Sequence, residues 1–176
     1  MFDTINIENL TKFVDAFYEK ARRDEEIGPI FNGRIGNSKK GWERHKAVVS
    51  SFWLFQLRGI HNDDAPPKHK GGMVRAHQDM SPFPKEKFSV WLRLFEETLD
   101  ELFDEKCKTE ILNRAKALAG GLKGVLYEGQ EWPAHLYPPG FKGHHHDDEH
   151  GEKGENAGHP HANNGHPSGC PMHQDK

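Results

Sequence analysis

The segment FSVWLRLFEETLDELF, residues 88–103, decides the fold class of this chain of 176 residues. Its apolar residues recur at intervals of three and four, which places them on one stripe of an α-helix with the charged residues on the other side. The members of this stripe are Phe88, Trp91, Leu92, Phe95, Leu99, Leu102 and Phe103. The pattern predicts an amphipathic helix that packs against a core.

The rest of the chain up to residue 128 is also predicted to be helical. Asn6 and Ser38 are predicted N-caps, the first helix is expected to end near Glu26, and residues 30–33 are expected to form a short buried turn after Gly28-Pro29. The helices predicted in addition to the one after Pro84 span about 6–26, 38–58, 73–80 and 106–127. No segment alternates with period two over a useful length, so the predicted fold class is all-α.

Composition divides the chain into two parts. Residues 129–176 hold nine apolar residues in 48 but nine of the thirteen histidines. Such a segment cannot bury enough apolar surface to form a core. We therefore predict a globular domain over residues 1–128 and a disordered tail rich in His, Gly and Pro over residues 129–176.

Charge and hydropathy exclude several classes of protein. In residues 1–128, 21 Lys and Arg balance 20 Asp and Glu, so no basic surface suggests nucleic-acid binding. No apolar run approaches the ~20 residues of a membrane span, and the N-terminus lacks a basic-then-apolar signal pattern. Cys107 and Cys170 are too few for a disulfide framework. We expect a soluble, cytoplasmic protein that binds neither nucleic acid nor membrane.

Four polar side chains stand where a dry core would favour Leu or Val. Tyr18, His45 and Trp91 lie on or beside apolar stripes, and each has a donor whose burial without a partner costs about 1–3 kcal/mol. His77 stands between a glycine pair and a proline pair. One imidazole and three separate donors on aromatic helices are typical of a haem pocket. Each residue also has an ordinary structural explanation, so periodicity alone does not decide between a haem pocket and an ordinary core.

Several motifs in a fixed order resemble the truncated haemoglobins, most closely the third group of that family. They are FYEK at 17–20, IGPIFN at 27–32, WERH at 42–45 with Phe52-Trp53 after it, and His77 followed by PFP at 82–84 and FSVWLRLFEE at 88–97. The similarity extends from about Thr4 to Tyr127. It implies a shortened globin, a two-over-two helical sandwich around haem b.

The resemblance also implies a role for each anomalous residue. His77 corresponds to the proximal ligand of the haem iron. The distal residues, which stabilise the bound ligand and assist catalysis, are Tyr18, His45 and Trp91. Two aromatic residues, Phe17 and Phe31, line the pocket and contact the cofactor. The expected ligands are O2, NO or peroxide, with nitric oxide dioxygenase or peroxidase-like turnover supported by an unidentified reductase.

The sequence departs from the family pattern in two places. The loop over residues 59–72 is long and lacks the usual Tyr-Gly-Pro pattern, which leaves His69 as a rival iron ligand. The tail is not part of the pattern, and its histidines could chelate Ni, Cu or Zn; Cys170-Pro171 also resembles a haem regulatory motif. A metal-handling protein with a helical platform is therefore the alternative function, and a haem-based sensor is a third.

Overall fold

The computed structural model describes residues 1–68, 72–79 and 83–141, and over these ranges it confirms the predicted all-α class. Within them the helices are α1 (Ile7–Arg23), α2 (Gly28–Ile35), α3 (Lys39–Arg58), α4 (Gly72–Gln78), α5 (Lys87–Leu102) and α6 (Glu105–Tyr127), followed by a 3₁₀ turn (Ala134–Leu136). No helix in the described part of the chain is long and apolar enough to cross a lipid bilayer.

Side-chain caps fix the start of the long helices. The Asn6 Oδ1 accepts a hydrogen bond from the Asn9 amide at 2.9 Å, and the Ser38 Oγ accepts one from the Gly41 amide at 3.0 Å. Each bond satisfies a donor that the first helical turn leaves without a partner. Both predicted caps are therefore confirmed.

The region around Gly28-Pro29 differs from the prediction. α1 ends at Arg23, and residues 28–35 form α2 where a short turn and a loop were expected. Pro29 occupies the first turn of α2, where a missing N–H costs nothing because no carbonyl precedes it within the helix. The dipeptide that was expected to break the structure therefore begins a helix.

Four long helices enclose the core in two pairs. α1 packs against α3 and α5, and α6 packs against α5 and α3. At the centre the Phe13 and Phe95 rings meet edge to face with centroids 4.8 Å apart, and both are almost completely buried. Such a contact adds about 0.5–1.5 kcal/mol beyond the area buried. The short helices lie outside this core: α2 packs against α1 and α3, and α4 packs against α6.

The globular unit continues beyond the predicted boundary at residue 128 and extends to Lys142. Leu136 is only 3% exposed and packs against Gly121 of α6, where an added Cβ would lie 2.5 Å from the Leu136 Cδ1. The glycine therefore permits a close approach that the count of apolar residues did not reveal. We call residues 130–141 the C-terminal strap. The remainder of the predicted tail lies outside the described residues.

Candidate functional site

Tyr18 and His45 form a hydrogen-bonded pair between α1 and α3. The Tyr18 Oη lies 2.9 Å from the His45 Nε2. Burial raises the pKa of Tyr18, so its phenol stays protonated. Burial, and secondarily the charge of His77, lower the pKa of His45 to about 4, so this imidazole is neutral at pH 7. The hydrogen bond of this pair therefore joins two neutral side chains.

Aromatic rings surround the Tyr18 side chain. The rings of Phe17 and Phe31 meet the Tyr18 ring edge to face, with centroids 5.1 and 5.8 Å away. Phe17 also contacts the indole of Trp91 at 5.7 Å. The structure thus brings together the predicted distal residues of α1, α3 and α5 and the predicted pocket-lining residues of α1 and α2.

Trp91 of α5 offers a hydrogen-bond donor. Its indole stacks on Phe95 with a centroid distance of 4.8 Å, which fixes the plane of the ring. Within residues 1–68, 72–79 and 83–141, no hydrogen bond uses its Nε1–H. The half-buried indole can therefore donate to a small molecule beside it.

Among the described residues, only one of the two ring nitrogens of His77 on α4 has a hydrogen-bond partner. Its Nδ1 lies 2.8 Å from the Met73 carbonyl oxygen, one helical turn earlier. Burial lowers the pKa of His77, which favours the neutral ring. In that form Nδ1–H donates to the carbonyl and the Nε2 lone pair is available to a metal, the usual arrangement of a histidine ligand. The rival residue, His69, lies outside the described residues.

The faces of α3 and α4 near these histidines are only partly covered by protein. α4 has no fully buried residue, although Met73, Ala76 and His77 are half-buried. On α3, Val49 and Phe52 follow His45 by four and seven residues and so share its face. They too are half-buried.

This donor set fits the haem group that the sequence resemblance implies. An imidazole nitrogen is available on α4, partly covered apolar faces lie on α3 and α4, and hydrogen-bond donors come from α1, α3 and α5. A flat apolar ring with a central iron matches these properties, because it needs one axial nitrogen and apolar walls.

Sequence reasoning missed two contributors to the site. The Met73 carbonyl orients His77, and the Trp42 ring contacts Tyr18 at 5.5 Å and His45 at 5.9 Å. Both could have been found from helical spacing, because Met73 precedes His77 by four residues and Trp42 precedes His45 by three. In the sequence, Trp42 was noted only as the first residue of the WERH motif at 42–45.

The predicted tail site remains a prediction. Across residues 1–68, 72–79 and 83–141, no group of three or more His, Cys, Asp or Glu side chains could hold a metal ion. Cys107 is buried with a free thiol. The tail histidines from His144 onward and Cys170 lie outside the described residues.

Comparison with known proteins gives two strong similarities. The chain is 42% identical over 127 residues to the "Group 3 truncated hemoglobin ctb" of Campylobacter jejuni, which covers 72% of this chain and 95% of that protein. It also matches the crystal structure of a group III truncated haemoglobin from Campylobacter jejuni with a TM-score of 0.64 and 40% identity, over 74% of this chain and 98% of the other. No family model matches the sequence.

Proposed function

This chain belongs to the group III truncated haemoglobins, a globin family that binds haem, and we propose that it holds haem b through His77 and binds O2 and other diatomic ligands. One observation carries the proposal. His77 on α4 keeps its Nε2 without a hydrogen-bond partner among the described residues, while the Tyr18–His45 pair and the Trp91 indole N–H lie on other helices. These are the ligand and the donors that such a site requires.

On the proximal side the protein prepares a neutral imidazole. The hydrogen bond from Nδ1–H to the Met73 carbonyl fixes the tautomer and increases the basicity of Nε2. When bound, the haem supplies an iron atom that binds a diatomic ligand and exchanges electrons. His77 would hold the group from α4, which would leave Tyr18, His45 and Trp91 available to interact with a ligand.

On the distal side the His45 tautomer decides which donor the ligand meets. If His45 donates its Nε2–H to the Tyr18 Oη, the Tyr18 hydroxyl hydrogen is free to donate to a ligand. The Trp91 Nε1–H is a second donor. Each such bond is worth about 1–3 kcal/mol when the acceptor carries charge, as reduced dioxygen species do. We therefore propose slow ligand release.

A site that releases O2 slowly is better suited to reactions of O2 than to its transport. The proposed reactions are oxidation of nitric oxide to nitrate and peroxidase-like cleavage of peroxide, with Tyr18, His45 and Trp91 as the assisting residues. Tyr18, kept protonated by burial, can hold a proton beside the ligand, and neutral His45 can accept one. An unidentified reductase would return the electrons used in turnover.

Hemin titration of the full chain tests this function. We expect a one-to-one endpoint with a Soret band, and a spectral change when the reduced protein meets CO or O2. A preparation that binds no hemin, or binds it and responds to neither gas, would contradict the proposal.

The alternative is a metal-handling protein whose tail chelates Ni, Cu or Zn. A chain shortened after Lys142 separates the two functions, because it retains the C-terminal strap that packs on α6. We expect this chain to bind hemin as the full chain does. Failure to bind hemin, together with nickel binding by the full chain alone in calorimetry, would favour the alternative.

A further inference from the structure

Helix α2 is attached to the rest of the distal side at three points. At its start, Gly28 passes so close to α1 that an added Cβ would lie 2.6 Å from the Arg22 carbonyl oxygen. In its middle, the Arg22 Nε donates to the Asn32 Oδ1 at 3.3 Å, and the Asn32 Nδ2 donates to the Arg22 carbonyl at 3.1 Å. At its end, the Trp42 Nε1–H donates to the Gly36 carbonyl at 2.9 Å.

Trp42 connects this attachment to the distal pair. The indole is 3% exposed and contacts both the Tyr18 and the His45 rings, while the Arg22 guanidinium covers it at 4.4 Å from the centroid. A cation over an indole face is a stabilising contact. The same side chain therefore holds the end of α2 through its N–H and supports both members of the pair with its ring.

The position of α2 also matters to Tyr18 directly. Phe31, in the middle of α2, meets the Tyr18 ring edge to face. If α2 shifts, Phe31 shifts with it, and the Tyr18 ring loses support on one side. The Trp42 and Phe31 contacts together enclose the ring whose hydroxyl reaches His45.

We propose that Trp42 is a positioning residue that sets the geometry of the Tyr18–His45 pair by clamping α2 against the distal side. This inference rests on the proposed function, because the pair matters only if it meets a ligand. Trp42 itself does not contact the ligand in this proposal. Its effect passes through Tyr18, His45 and the placement of α2.

The test is the C–O stretching band of the ferrous CO complex of the full-length holoprotein, with CO as the probe. This band responds to hydrogen-bond donors beside the ligand. Trp42→Phe keeps an aromatic ring and removes the N–H. We expect it to shift or split the band towards that of Tyr18→Phe and to raise the O2 dissociation rate by roughly two- to fivefold, the effect of a partly lost hydrogen bond.

Trp53→Phe is the matched control. Trp53 lies on the same helix and is 4% exposed, but its ring contacts Phe52 and Phe95 and not the distal pair. We expect it to leave the CO band unchanged even if the melting temperature falls. Equal band shifts in Trp42→Phe and Trp53→Phe would show a general packing effect and overturn the inference.

Asn32→Ala keeps the inference testable if Trp42→Phe does not fold. It removes both side-chain bonds between α2 and Arg22 without touching the core, so we expect the same direction of band shift. In a Tyr18→Phe background either substitution should have no further effect, since coupled residues are not additive. Full additivity would overturn the inference.

The outcomes separate the inference from the function on which it rests. A band that moves in Tyr18→Phe but in neither Trp42→Phe nor Asn32→Ala leaves the proposed function intact and refutes the role of Trp42. A band that Tyr18→Phe does not move refutes both, because the pair then does not meet the ligand.

Discussion

The two sides of the candidate haem site are built in different ways. Distal Tyr18 and Trp91 belong to α1 and α5, which also form the core, and the rings of both contact core aromatic residues. Proximal His77 belongs to α4, a helix of seven residues with no fully buried side chain that packs against α6 alone among the described elements. Folding of the core fixes the distal donors, whereas little protein packing fixes the proximal ligand.

This contrast assigns a structural part to the cofactor. Apolar contacts supply most of the stability of a short helix, because isolated helices of this length are marginal in water. Among the described elements α4 packs against α6 alone, so it has few such contacts. We expect the bond from His77 and contact with the haem to order the proximal side, while the distal side is already in place without the cofactor.

The largest expected effect is loss of the cofactor when the proximal ligand is removed. His77→Ala deletes the imidazole whose Nε2 is free for iron, and no other described side chain on α4 replaces it. We expect no stable Soret band after purification and a desalting step. His69→Ala is the control for the rival ligand and should keep the full band. Retention of the band in His77→Ala and its loss in His69→Ala would reverse the assignment.

Hydrogen exchange measures the difference between the two sides directly. Without haem, the backbone amides of α4 should exchange far faster than those of α1, because partly covered segments open locally. Hemin at a free concentration of about 100 times its dissociation constant should slow exchange in α4 by roughly a hundredfold. Exchange in α1 should change much less. Equal protection of α4 and α1 in the haem-free chain would contradict the contrast.

The sequence predicted the distal side better than the proximal side for the same reason. Strong periodicity marks α1, α3 and α5, so it also placed Tyr18, His45 and Trp91 on inward faces. The short α2 was missed, because glycine and proline at 28–29 resemble a break when the following packing is unknown. Its docking depends on contacts between neighbouring helices, such as Trp42 Nε1–H to the Gly36 carbonyl and the Arg22–Asn32 pair, which periodicity does not show.

Composition also failed to predict the C-terminal strap. Few apolar residues lie beyond residue 128, yet Leu136 is buried because Gly121 leaves room for it on α6. Glycines inside a helix are ordinarily expected only to weaken it. Close approach between segments depends on the tertiary arrangement, and a single buried leucine has little weight in a count.

The buried distal histidine should make the protein sensitive to acid. The folded pKa of His45, about 4, lies below that of an unfolded histidine, so the unfolded chain takes up the proton first. Neutral His45 contributes fully to the free energy of unfolding above about pH 6.5, and this contribution is lost as the pH falls. The loss between pH 7 and pH 5 amounts to about 2 kcal/mol. His45→Gln retains a polar partner for Tyr18 but does not titrate.

Urea unfolding at the two pH values measures this effect. Wild type should lose more free energy of unfolding on acidification than His45→Gln, and both chains retain His77, whose pKa is also lowered by burial. The exposed His135, changed to Gln, is the control and should behave as wild type. Equal acid sensitivity in all three chains would show that His45 is not buried as a neutral group.

Removing the Tyr18 hydroxyl should have a slightly smaller effect, and it should change only the binding of the ligand. Tyr18→Phe keeps the ring and its aromatic contacts but removes the donor, so O2 should dissociate about tenfold faster in stopped-flow measurements, the equivalent of about 1.4 kcal/mol. Tyr127→Phe is the control, because the Tyr127 Oη has no hydrogen-bond partner in the described part of the chain. An unchanged rate in Tyr18→Phe would remove Tyr18 from ligand stabilisation.

The smallest expected effect concerns α6, the element against which the proximal helix packs. An added Cβ at Gly120 meets nothing within 4 Å, whereas at Gly121 it lies 2.5 Å from the Leu136 Cδ1 and 3.0 Å from the Trp132 ring. Gly120→Ala should stabilise the chain by roughly 0.5–1 kcal/mol through helix propensity. Gly121→Ala gains the same propensity but must displace the C-terminal strap, so its urea midpoint should fall below that of Gly120→Ala. Equal midpoints would mean that the C-terminal strap can be displaced at no cost in stability. In that case α6 would not need the strap in order to support α4.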